Sequence, residues 1–129
     1  MIHIGPVALN DGLDWADEAD TQAVRQWVRR RADGGLAVYP QALAGGRPIT
    51  LEARPDSPIT YAQWMALEAL AAVPGAIYAL AFDLRPEHAR QVMFRHQEPP
   101  ALSLRLLLDY ADPIDTDLVV GQIKLMVVV

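Results

Sequence analysis

The sequence predicts a β-rich α+β fold: an antiparallel β-sandwich or barrel-like sheet with one helix inserted at about residues 60–73. Three observations carry that reading. Apolar residues alternate with polar ones through most of the chain, the period of a half-buried strand. Gly, Pro and Asp clusters punctuate those runs at hairpin spacing. Only the stretch after Ile59 breaks the alternation with a sustained run of helix formers.

The elements follow in order. Ile2, Ile4, Val7 and Leu9 form a short apolar strand region interrupted by Gly5-Pro6, and Asn10-Asp11-Gly12 supplies a turn. Leu13 and Trp15 then alternate with polar residues in an acidic stretch. From Val24 the spacing admits helix or strand. The Asp33-Gly34-Gly35 turn followed by "LAVYP" decides for a hairpin, with Val24, Gln26, Val28 and Arg30 on one face and Arg25, Trp27 and Arg29 on the other. Pro40 is expected to end the second arm at an edge. After the Gly45-Gly46 turn, Ile49, Leu51 and Ala53 share one face of a strand.

Thr60 is the expected helix N-cap. Gln63, three residues on, completes a capping box, and Pro74-Gly75 ends the helix. Trp64, Leu67, Leu70 and Ala71 make its apolar stripe. Beyond it, Tyr78, Leu80 and Phe82 face away from Ala79 and Ala81, and Leu84 continues the large-residue face. "RPEHA" turns the chain; Val92 and Phe94 lead the returning strand. Leu102, Leu104, Leu106 and Leu108 oppose Ser103, Arg105 and Leu107, and a last strand places Ile123, Leu125 and Val127 together. The expectation is six to eight strands in one domain, residues 1–129, with the helix covering an open face or end of the sheet.

Composition narrows the function. The chain has 129 residues, 52% of them hydrophobic, and a net charge of −5. It contains no cysteine, which excludes disulfides, thiolate metal sites and a cysteine nucleophile. An acidic balance argues against gripping nucleic acid through its phosphates. No apolar stretch reaches the roughly 18 residues of a membrane span, and no signal peptide is expected.

The chemistry-bearing residues are few. Ser57 and Ser103 lack the context of a nucleophile elbow. His88 and His96 flank one predicted hairpin, which makes a metal site or a hydrolytic base conceivable, but no metal-ligand spacing accompanies them. Asp109, Asp112, Asp115 and Asp117 invite a calcium reading, yet their spacing fits no EF-hand loop. The expected reading is therefore a non-enzyme with no catalytic, cofactor or metal residues. Arg29, Arg30 and Arg31, beside Trp27, form the basic edge. They are expected on one side of a subunit contact, opposite Asp112, Asp115 and Asp117 in the "ADPIDTD" loop. Arg47, after the glycine turn, is expected to make a positioning ion pair or an interface contact.

"GRPITLEA", "ITYAQWMALEALAAVPGAIYALAF", "VMFRH", "LLLDYADPIDTD" and "IKLMVV" together resemble the distal tail proteins of long-tailed bacteriophages and prophages. The resemblance covers residues 46–129, with the N-terminal third weaker. It implies a β-sandwich carrying one helix and a homo-oligomeric, hexameric ring joining the tail tube to the tip or baseplate. Its implied partners are the tube, tape-measure and tip or hub proteins, with DNA passing only through the lumen. The implied place is the virion tail, assembled in the bacterial cytoplasm. At this length the galectin-like domain of larger relatives is not expected. The alternative from a different class is a small β-sandwich module binding a carbohydrate or other ligand, for which Trp15, Trp27 and Tyr39 would be the platform.

Overall fold

A computed structural model describes residues 1–19, 24–42, 45–108 and 112–128. The first strands, β1 (Ile2–Ile4), β2 (Val7–Leu9) and β3 (Asp14–Trp15), are short. The hairpin β4 (Val24–Arg30) and β5 (Leu36–Ala42) follows, then β6 (Pro48–Ala53) and β7 (Ile59–Thr60). The helix α1 (Tyr61–Ala71) leads into β8 (Tyr78–Phe82), a 3₁₀ turn at Pro86–His88 and β9 (Arg90–Phe94). Finally come β10 (Leu102–Leu106) and β11 (Leu118–Val127). Every pairing is antiparallel. The architecture is the predicted β-rich fold with one α-helix. The strand count exceeds the expected six to eight, because two-residue strands such as β3 and β7 leave no periodic signal.

Nine strands form one sheet: seven run in the order β2-β1-β8-β9-β11-β6-β3, and β7 and β10 join it through β11. The ten-residue β11 organises it. One edge of β11 pairs with β7 and then β6, the other with β10 and then β9. The sheet stays open, since β2 and β3 end the path, but it curls. Trp15 at the β3 end stacks on Phe82 of β8, with ring centroids 5.6 Å apart and planes 6° from parallel. The alternating apolar faces point inward: Ile49 and Leu51 of β6, Leu80 of β8, Val92 of β9, and Ile123 and Leu125 of β11 are fully buried.

The curl has one mandatory glycine. Gly121 in β11 has φ +140, and a Cβ there would lie 2.1 Å from the Ser103 carbonyl oxygen of β10. Only a residue without a side chain lets the two backbones approach so closely.

The helix begins as the sequence dictates. The Thr60 hydroxyl accepts from the Gln63 backbone N–H, and the Gln63 side chain accepts from the Thr60 N–H. Gln63 also donates to the Ala8 carbonyl, tying α1 to β2. The helix packs on β2 and on the corner formed by β7, β10 and β11. Leu67 carries that contact and is fully buried. Trp64, the first residue of the predicted stripe, is only half-buried and donates its indole N–H to Glu68.

Candidate assembly interface

The hairpin β4–β5 stands apart from this body. Its strands form a separate two-stranded sheet, paired from Val24↔Ala42 to Arg30↔Leu36. Every residue of β4 is exposed, and so is all of β5 except the partly covered Ala37. The predicted turn closes it: Arg31 N–H donates to the Gly35 carbonyl, and Asp33 accepts from the Gly35 N–H. Gly34 sits there at φ +86, where a side chain would be strained. Pro40 does not end the strand, as the sequence suggested, but lies within it opposite Gln26. In a two-stranded ribbon every strand is an edge, so the missing N–H can face solvent.

Register sorts the arm into two faces. Val24, Val28, Val38 and Leu36 lie on one, with Gln26, Pro40 and Arg30. Trp27 and Tyr39 are paired on the other, where the Arg25 guanidinium lies 5.7 Å from the Trp27 ring centre. Val28 and Trp27 are 59% and 57% exposed, so neither face is buried in this molecule. Arg29 and Arg30 end β4, and Arg31 opens the turn.

Arg47 is elsewhere. It lies 5.0 Å from the Trp15 ring centre and donates to the Glu18 carbonyl at 2.9 Å, holding the segment after β3 against β6. Nearby, Arg85 pairs with Glu18, which keeps the Glu18 carboxyl below its usual range. Trp15 itself is a core residue. Of the three aromatics considered as a ligand platform, only Trp27 and Tyr39 are exposed, and they sit on the ribbon rather than in the body.

The acidic loop ahead of β11 is built onto the start of the helix. The Asp117 and Asp115 carbonyls accept the Tyr61 and Ala62 N–H groups at 2.8 and 3.2 Å. The Asp117 carboxylate accepts from the Ile114 N–H. The loop backbone thus satisfies two of the donors that a helix leaves open at its start. Among the described residues, Asp112, Asp115 and Asp117 form no ion pair; Asp109, also part of the predicted acidic run, lies outside the described residues.

Next to these acids is an apolar surface that the sequence reading did not single out. The Leu107 N–H donates to the Leu118 carbonyl, extending the β10–β11 ladder by one step. Alternation turns both side chains outward, opposite the inward Leu106 and Val119. Leu107, Leu108, Thr116, Asp117 and Leu118 line a groove of about 230 Å³. Leu108 and Ile114 are 60% and 64% exposed. The signal was present in the grouping of Leu107 with Ser103 and Arg105 on the outer face of β10.

The histidines have other engagements. The His88 ring packs edge-on to Trp15, and its Nε2 lies 2.7 Å from the Arg85 guanidinium. A guanidinium can only donate, so Nε2 is the acceptor and its lone pair is occupied. His96 Nε2 meets the Ala71 carbonyl, 3.0 Å away. The two therefore serve different neighbourhoods. Ser57 Oγ accepts from Asn10. Among the described residues, no group of three or more His, Asp or Glu side chains is placed to hold a metal ion, and no helix is long and apolar enough to cross a membrane. No family model matches the chain, and no curated protein or solved structure matches it either.

Proposed function

We propose that this protein is a non-enzymatic structural subunit of a long-tailed phage or prophage tail. Copies of it join into a ring, hexameric in the resemblance, between the tail tube and the tip or baseplate. DNA passes through the lumen, and the tube, tape-measure and tip proteins are the neighbours. Assembly takes place in the bacterial cytoplasm and the finished location is the virion tail. The observation that carries the reading is the arm β4–β5. A lone two-stranded hairpin is marginal in water. One that exposes valines, a tryptophan and a tyrosine has the composition of an interface, not of a solvated loop. The tail assignment within that class is supported by the sequence resemblance.

Absolute mass in solution, measured by light scattering across a wide concentration range, tests the assembly. A mass of about six subunits, or growth toward a closed ring with concentration, is expected. Electron microscopy of the product then distinguishes a ring from an open filament, the two outcomes of a head-to-tail contact. A monomer at every concentration, alone and with neighbouring tail proteins, refutes the reading.

A further inference from the structure

We infer that the arm β4–β5 of one copy docks on the leucine groove between β10 and β11 of the next copy. The inference rests on the ring-subunit reading and names its contact. Three observations on the molecule converge. First, the arm is strongly basic on an acidic chain. Residues 24–42 hold four arginines and one aspartate, a charge of +3, so a chain of net −5 leaves −8 on the remainder. Second, the groove is the matching surface. Leu107, Leu108 and Leu118 make its aliphatic wall, Asp117 lines it, and Asp115 and Asp112 belong to the same acidic loop; among the described residues none of the three is in an ion pair. Third, the chemistry of the two faces selects an orientation. Val24, Val28, Val38 and Leu36 are the aliphatic side of the arm, and Arg30 shares it. That side meets the leucines, while Arg30 on the same face and Arg31 at the turn reach the aspartates; Arg29 lies on the opposite face and adds to the positive field of the turn end.

Such a contact uses one patch on each copy to bind a different patch on the next. It is head-to-tail, the geometry that closes rings. The other large acidic recess suits the arm less well. It holds Asp11, Asp14, Glu18 and Asp83, but each of these carboxylates is already paired within the body.

Reciprocal charge reversal tests the contact. One variant carries Arg29→Glu, Arg30→Glu and Arg31→Glu; the other carries Asp112→Lys and Asp115→Lys. Each alone is expected to drop to monomer mass at concentrations where the unchanged chain assembles. Mixed in equal amounts they should assemble again, because a glutamate arm meets a lysine patch and an arginine arm meets an aspartate patch. If both single variants keep the assembled mass, the arm–groove contact is overturned and the ring reading survives. If the unchanged chain never assembles, both fall. A second measurement does not depend on the folding of charge variants. The chain has no cysteine, so Val28→Cys in one copy and Leu108→Cys in another introduce the only thiols. Under a mild oxidant, a disulfide-linked pair containing one of each is expected; absence of that mixed pair in an assembling sample overturns the contact.

Discussion

At the scale of single residues, Gly121 and Glu18 make the sharpest statements. Gly121 combines a left-handed φ with a backbone approach from β10, so alanine there must distort β11 where it changes partners. Gly121→Ala should cost about 2–4 kcal/mol, the sum of backbone strain and overpacking. Gly34→Ala, at φ +86 with open space around it, should cost only about 1 kcal/mol. Urea midpoints of the two variants, at unchanged slope, check the ranking. Glu18 predicts a pH effect. Its hydrogen bond to Arg85 lowers its folded-state value below the ordinary 4.5. A depressed carboxylate stabilises the fold above the unfolded value and loses that contribution as pH falls through the folded one. Glu18→Gln should therefore be less stable than the unchanged chain at neutral pH, and the gap should close as pH falls below about 4.5. Denaturant curves at both ends of that range measure it; a gap that widens in acid contradicts the assignment.

At the scale of elements, the arm should behave differently from the body. Among the described residues its strands pair with each other and with no strand of the body, whereas β6, β9 and β11 pair over a buried face. In the isolated subunit, the amides of residues 24–42 should exchange with deuterium far faster than those of β11, and assembly should slow the arm selectively. Equal protection of arm and body before assembly would contradict it. Much of this architecture was legible beforehand. The alternation of Ile49, Leu51 and Ala53, of Val92 and Phe94, and of Ile123 and Leu125 named the inward faces. The Thr60–Gln63 box fixed the helix start, and Asp33-Gly34-Gly35 the hairpin. Alternation also sorted the arm into its two faces. It cannot say whether a face is covered, because coverage depends on elements distant in sequence. For that reason Trp15 was considered as an exposed platform although Phe82 stacks on it. For the same reason the outward Leu107 and Leu118 were not seen as neighbours, since their pairing joins β10 to β11 across a loop. For Arg47 the sequence leaves open a positioning ion pair or an interface contact, and the structure sets it on the Trp15 ring and the Glu18 carbonyl.

At the scale of the whole molecule, the separation of charge dictates how assembly responds to salt. In the proposed arm–groove contact, a +3 arm on a chain of −5 lets copies attract head-to-tail although their net charges repel. At low ionic strength the arm sees the acids of its neighbour over a long range. At 0.15 M salt the screening length is about 8 Å, and only charges brought nearly into contact still attract. The apolar part of the same contact responds in the opposite sense, since excluded salts such as sulfate strengthen apolar burial. Two regimes should result. Sodium chloride between about 0.05 and 0.5 M should weaken association and slow its onset, because steering by charge is lost first. Ammonium sulfate at matched ionic strength should weaken it less, because valines and leucines still leave water at the arm–groove contact. Light scattering across both series reads the difference. Association insensitive to sodium chloride would mean that the arginines and aspartates take no part. Equal weakening by both salts would mean that the aliphatic faces of the arm and groove do not meet.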